Sequence, residues 1–188
     1  MAEVDESAEL NWQLRKWLGQ LRRRSSPRWA WPEHKLTYDN ARYPEALIGA
    51  GRVLSDQTAV EEGLGLLSWL VDVERNTPDG HFSWTPVGGR SIANMEPGFD
   101  QQPLEAWAMI DAASVAARVD GSHWFDVAET ARSWFLGAND LGVEMVDRVS
   151  GGGFDGLTAT GPNLNRGAES TLAAVASMSG AYAGAHPG

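Results

Sequence analysis

Apolar residues recur at helical spacing in successive blocks, and Gly-, Pro- and Asp-rich stretches separate them. The first block, residues 5–24, predicts an amphipathic helix with Leu10, Leu14, Trp17, Leu18 and Leu21 on one stripe, ended by Ser25-Ser26-Pro27. Trp29-Ala30-Trp31-Pro32-Glu33-His34 is aromatic and broken by proline, so it predicts a loop. A second helix is expected from about Ala41 or Pro44 to Leu54, and a third opens at Ser55-Asp56. In that third helix Val60, Leu64, Leu67 and Val71 mark one face, while Leu66, Leu70 and Val73 fill the side next to it. A helix apolar over so much of its surface needs neighbours on more than one side.

Residues 76–98 then form a long loop, with turns at Asn76-Thr77-Pro78-Asp79-Gly80 and Val87-Gly88-Gly89-Arg90 and a short strand at His81-Phe82-Ser83-Trp84. A fourth helix covers about 102–119. A fifth begins at Ser122 and carries Trp124, Val127, Ala131, Trp134 and Phe135 to Gly137. Residues 141–167 are a second long loop bent at Gly151-Gly152-Gly153, and a sixth helix runs from Ala168 to about Ala183. Loops of this length between helices are often functional. The expected fold is all-α, in one domain: residues 1–27 as N-terminal helix and linker, 28–183 as helical hairpins, 184–188 as a fraying tail.

A repeat underlies this order. Helices two and three, and helices four and five, each form a hairpin joined by a tight turn, near Ser55-Asp56 and Asp120-Gly121. Glu45, Glu105 and Glu169 fall about 60 residues apart, each just inside a helix start, as a repeating supersecondary unit would place them. Stacked side by side, such units collect their long loops on one rim. The loops share a grammar too. Tyr38-Asp39-Asn40-Ala41-Arg42-Tyr43-Pro44-Glu45-Ala46 matches Phe99-Asp100-Gln101-Gln102-Pro103-Leu104-Glu105-Ala106, and Asn165-Arg166-Gly167-Ala168-Glu169-Ser170 repeats part of it.

Composition narrows the function classes. In 188 residues, 43% hydrophobic and 21% charged content describe a globular chain. The net charge of −10 disfavours nucleic acid and anionic membrane as partners, because phosphate binding needs concentrated Lys and Arg. The basic run Arg22-Arg23-Arg24 is explained by a helix C-terminus. Absent cysteine excludes disulfides and thiolate metal sites, and no apolar run approaches the roughly 18 residues of a spanning helix. A cytoplasmic protein is the default expectation. No cofactor or metal is expected: His34 and His81 lack a second histidine at i+3 or i+4, and Gly151-Gly152-Gly153 lacks the Lys-Ser/Thr of a phosphate loop.

Two readings of the rim residues follow. In one, Asp39 and Asp100 are helix N-caps, and the amides beside them satisfy loop backbone. In the other they carry chemistry. Glycoside cleavage uses two carboxyl groups roughly 5–5.5 Å apart for retention or 6.5–9.5 Å for inversion. Asp39 and Asp100 form the first candidate pair, Glu169 is third, and Asp155 and Glu33 stand behind. The nine Trp of the chain either plug the core or line a ligand groove. In the second case Trp31, Trp84 or Phe99 would give the apolar wall, Gln101, Gln102, Asn163, Asn165 and Arg166 would hydrogen-bond hydroxyls, and Tyr38, Asn40 and His81 complete the substrate-binding set.

Five motifs, spread over about Trp31 to Met178, carry a family resemblance: Leu36-Thr37-Tyr38-Asp39-Asn40-Ala41, Asp79-Gly80-His81-Phe82, Phe99-Asp100-Gln101-Gln102-Pro103, Trp134-Phe135-Leu136-Gly137-Ala138-Asn139-Asp140 and Gly167-Ala168-Glu169-Ser170-Thr171. In that order they resemble part of a six-hairpin α/α toroid of the glycosidase-like class. More narrowly, they resemble the helical region often fused behind the catalytic domain of bacterial glycosyltransferases. The resemblance implies carbohydrate as ligand, either for a glycosidase-like enzyme or for a non-catalytic sugar-binding or interaction module. The chain departs from the family in carrying about three hairpins where a closed toroid needs six, so it resembles the C-terminal half of that domain. It is then an open half-barrel, a fragment, or a protomer that forms a homodimer to complete the toroid.

Overall fold

The computed structural model describes residues 6–21, 26 and 29–179. Within them lie α1 (Glu6–Leu21), α2 (Arg42–Leu54), α3 (Gln57–Glu74), α4 (Pro103–Asp120), α5 (His123–Ser133) with a 3-10 turn at Trp134–Leu136, and α6 (Ala168–Met178). Arg22-Arg23-Arg24, the expected last turn of the sixth helix at 180–183 and the tail at 184–188 lie outside the described residues.

The fold is mostly helical but not all-α. β1 (Lys35–Leu36) pairs antiparallel with β2 (Arg90–Ser91), Lys35 opposite Ser91, and β3 (Gly156–Thr158) pairs with β4 (Gly161–Asn163), Gly156 opposite Asn163. The strand expected at His81–Trp84 is irregular backbone outside any ladder. Its polar groups go elsewhere: the Ser83 N–H donates to the Glu74 carbonyl, and the Trp84 and Thr85 N–H groups donate to the Gln101 and Glu74 side chains. Side chains therefore do here what a partner strand would have done.

α2 packs on α3 and α4 on α5, the two hairpins read from the periodicity, while α2, α4 and α6 lie side by side with α1 against α2. Asp56 caps α3 by accepting from the Ala59 N–H at 3.1 Å, and Ser55 takes the left-handed conformation (φ 53°) that reverses the chain. Gly63 is required where the hairpin is tightest, since a Cβ there would lie 2.7 Å from Ile48 Cγ1. α4 is the centre of the molecule. Ala106, Ala108, Ala112, Ala113 and Ala116 let neighbouring helices approach closely, and Met109 and Ile110 fill the remaining space. Each large side chain of this kind, fully buried, contributes about 2–3 kcal/mol. The α1 stripe is only partly used: Leu18 is buried and Leu14 and Leu21 are half-buried, but Leu10 and Trp17 are exposed.

Candidate functional site at the helix mouths

Hydrogen bonds tie the starts of α2, α4 and α6 to one end of the molecule. The Glu105 carboxylate, in the first turn of α4, reaches the loop before α2. The loop before α4 bonds Leu157 of β3, and Asp155 beside β3 accepts from the Gly167 N–H at the mouth of α6 at 2.7 Å. The tight turns lie at the other end, where Ser55, Gln57, Val119 and Asp120 share a cleft of about 600 Å³.

Neither Asp39 nor Asp100 is a helix cap. The N-cap positions are Ala41 and Gln102, neither with a side-chain cap bond, and each Asp lies two residues earlier. Both Asp residues are left-handed, with φ of 54° and 64°. Asp tolerates that region better than most side chains, at a cost of about 1–2 kcal/mol. The conformation turns two successive N–H groups toward one point, a nest that accepts an anion or a carbonyl. At the first mouth the occupant is Glu105: Oε1 accepts the Asp39 N–H at 2.6 Å, and Oε2 accepts the Asn40 N–H at 3.3 Å and Nδ2 at 3.4 Å. At the second it is the Leu157 carbonyl, which accepts the N–H groups of Asp100 and Gln101 at 3.0 and 3.1 Å.

The Asp39 side chain, about one-third exposed, faces a guanidinium. Arg42 Nε lies 3.4 Å from Asp39 Oδ1, while Arg42 Nη1 bonds Glu45 Oε2 at 2.8 Å and Asp111 Oδ2 at 2.5 Å. The guanidinium also sits 5.3 Å from the centre of the half-buried Trp107 ring. Three carboxylates thus surround one cation beside an indole. Burial raises the Asp39 carboxyl above the ordinary Asp range; Arg42 opposes this, and the nearby charges of Glu169 and Asp111 reinforce it. Burial raises Glu45 as well, against the pull of Arg42. Glu169 is exposed at the mouth of α6, close enough to act on Asp39.

Asp100 lies at the mouth of α4. It is exposed and lines a cleft of about 330 Å³ with Gln102, Asp155, Thr158 and Asn163. Asp39 therefore meets Arg42, Asp111 and Glu169, whereas Asp100 shares its cleft with Asp155. Tyr38 and Phe99 are exposed before their left-handed Asp residues, Asn165 is exposed, and exposed Arg166 pairs with Asp147.

Other expected ligand contacts are interior. Trp84 is fully buried and stacks on Phe82 at 4.3 Å, and Trp31 is buried against Trp69 and Tyr43, so both indoles build the core rather than line a groove. Asn40 is buried, and its Oδ1 accepts the Thr37 N–H. Gln101 is wholly enclosed. Its Oε1 accepts from the Trp84 N–H and Trp134 Nε1, and its Nε2 donates to Gly98 O, Ser83 Oγ and Asp140 Oδ2. His81 Nε2 pairs with Asp140 Oδ1 at 2.8 Å, and Ser83 Oγ donates to Asp140 Oδ2 at 2.7 Å. Serine and histidine each bond the carboxylate and not one another, which is the wrong order for a nucleophile and its base. These donors hold Asp140 below the usual carboxylate range even though burial works the other way.

Sequence reasoning missed Arg42, Trp107 and Asp111. A signal existed, because Asp111 is the one charge in α4 between Glu105 and Arg118, and it stands four residues from Trp107. Among the described residues no group of three or more His, Asp or Glu is placed to hold a metal ion, and no helix is long and apolar enough to cross a membrane. The chain matches no protein-family model and no curated protein.

Proposed function

We propose that the chain is a carbohydrate-active domain, glycosidase-like, whose oligo- or polysaccharide ligand lies along the rim at Asp39, Trp107 and Glu169. The carrying observation is the Asp39 carboxyl: part-buried, raised by that burial, and facing the Arg42 guanidinium that also meets Glu45, Asp111 and the Trp107 ring. Glycoside cleavage needs one carboxyl that keeps its proton and a second that does not. Asp39, whose carboxyl burial raises, is the candidate acid, and the exposed Glu169 is the candidate second carboxyl. Sugar rings pack their C–H faces on aromatic faces, which Trp107 and Tyr38 supply at this end.

The test is turnover of a panel of mannosides, glucosides and galactosides. Asp39→Asn is expected to lower the rate by about 100-fold or more, the usual loss for a general acid, with the urea midpoint little changed. A full rate in Asp39→Asn, or no glycan bound or cleaved by the unmodified chain, overturns the reading. One observation favours a non-catalytic sugar-binding module associated with a glycosyltransferase instead: Arg42 contacts three carboxylates at once. Glycan binding without turnover selects that alternative.

The same reading treats α1, α2, α4 and α6 as an open arc of an α/α toroid. Exposed Leu10, Trp12 and Trp17 at the α1 edge and Leu172 and Val175 at the α6 edge support it, because a second copy would cover both. Light scattering at micromolar concentration is expected to give a dimer, and a monomer contradicts this part.

A further inference from the structure

The Glu105 carboxyl is 3% exposed, sits on a different repeat from the loop it contacts, and lies outside the set of groups that would face a sugar. Both of its oxygens accept from the nest of residues 39 and 40 rather than from the first turn of its own helix. We propose that Glu105 is a positioning residue for Asp39: the buried carboxyl holds the left-handed Asp39-Asn40 peptide units and thereby fixes where the Asp39 side chain stands relative to Arg42 and Glu169. This rests on the sugar-site reading only for its catalytic consequence; the clasp itself is a matter of geometry.

The contacts divide between the two oxygens. Oε1 makes the short bond to the Asp39 N–H, whereas both bonds to Asn40 fall on Oε2 and are longer. A proton on the carboxyl is therefore accommodated at Oε2, where it removes acceptor capacity from Asn40 and leaves Asp39 held through Oε1. The groups facing Glu105 are Glu74, from the end of α3, and Asp39 itself; Glu74 in turn faces Arg90 and bonds Thr85. Burial, with the Glu74 charge added, pushes Glu105 up to about 8, so the clasp changes its acceptor set near neutral pH.

The experiment is an NMR titration of the intact chain from pH 6 to 9, following the amides of Asp39 and Asn40, the Asn40 side-chain amide and the Asp39 carboxyl carbon. The Asn40 signals are expected to titrate with the Glu105 carboxyl carbon, and the Asp39 carboxyl to show a second, small inflection at the same pH. Glu105→Gln is expected to abolish both while the remaining oxygen still holds the Asp39 amide, whereas Glu105→Ala is expected to speed hydrogen exchange at the 39 and 40 amides at least tenfold and to leave the Trp84 and Trp134 indole signals in place. Unchanged exchange and shifts at 39 and 40 in Glu105→Ala overturn the proposal. Should that variant unfold, the titration of the unmodified chain decides alone, and amides of 39 and 40 that ignore the Glu105 titration overturn it.

Where glycan turnover is present, Glu105→Ala is expected to lower kcat about 100-fold, the scale of a displaced catalytic group, with KM little changed, and Glu105→Gln to recover part of it. An unaltered kcat despite displaced 39 and 40 amides also overturns it. Absence of turnover in the unmodified chain fails the sugar reading and leaves the NMR result standing.

Discussion

The mouths of the two hairpins have the same backbone and different occupants. Each has an exposed aromatic, a left-handed Asp and a buried amide side chain, and each turns two N–H groups inward. The nest before α4 is filled by a backbone carbonyl, that of Leu157, and its amide, Gln101, is spent on five interior partners. The nest before α2 is filled by a side chain, Glu105, borrowed from the next repeat. A peptide carbonyl does not titrate, and a mutation does not delete it. A carboxyl does titrate and can be deleted. The repeat has therefore made one mouth a fixed structural joint and the other an adjustable one, and the acidic side chain beside a cation and an indole sits at the adjustable mouth.

The fixed joint is expected to be the more costly of the two to disrupt. Gln101→Leu orphans the Trp84 N–H and the Trp134 indole N–H in the interior and takes a donor from Asp140, so a stability loss of about 3–5 kcal/mol is expected from urea unfolding. A loss under about 1 kcal/mol would mean that the amide is not the joint described. Glu105→Leu comes next, with about 2–3 kcal/mol expected from the two backbone N–H groups and the Asn40 amide left without their acceptor. The same buried carboxyls also predict a pH dependence. Burial pushes Glu74 up to about 7 and Glu105 to about 8, above the unfolded value near 4.5. Between these limits the native state binds more protons than the unfolded chain, so this contribution is full below about pH 4.5 and is lost as pH rises through 7 to 8. Urea midpoints are expected to fall from pH 5 to pH 8, and Glu105→Gln to flatten the slope; a rising midpoint contradicts the assignment. The smallest effects are at the left-handed residues. Asp39→Gly and Asp100→Gly should each change stability by less than about 1 kcal/mol, since relief of the left-handed strain offsets the lost side chain.

Much of this was legible in the sequence because helical periodicity is a long-range signal. Val60 through Val71 and Trp124 through Phe135 mark α3 and α5 over several turns, and the spacing of Glu45, Glu105 and Glu169 exposed the repeat. The strands were not legible. β1 and β2 are two residues each, too short to alternate, and β4 contains Pro162, which reads as a turn. Spacing also could not distinguish Asp as an N-cap from Asp two residues earlier, because both positions favour the same side chain. What fixes Asp39 is an acceptor 66 residues away, and no local pattern encodes that. Trp31 and Trp84 were ambiguous for a related reason: an indole in a loop reads the same whether that loop covers the core or lines a groove.

A ligand site at the helix mouths, rather than at the tight turns, is the central proposal. Amide chemical-shift mapping during titration with a mixture of manno-, gluco- and galacto-oligosaccharides tests this directly. Coordinated shifts at residues 38–42, 107–111 and 165–169 are predicted. Shifts confined to the far cleft at residues 51–64 and 119–120, or none at all, would contradict it.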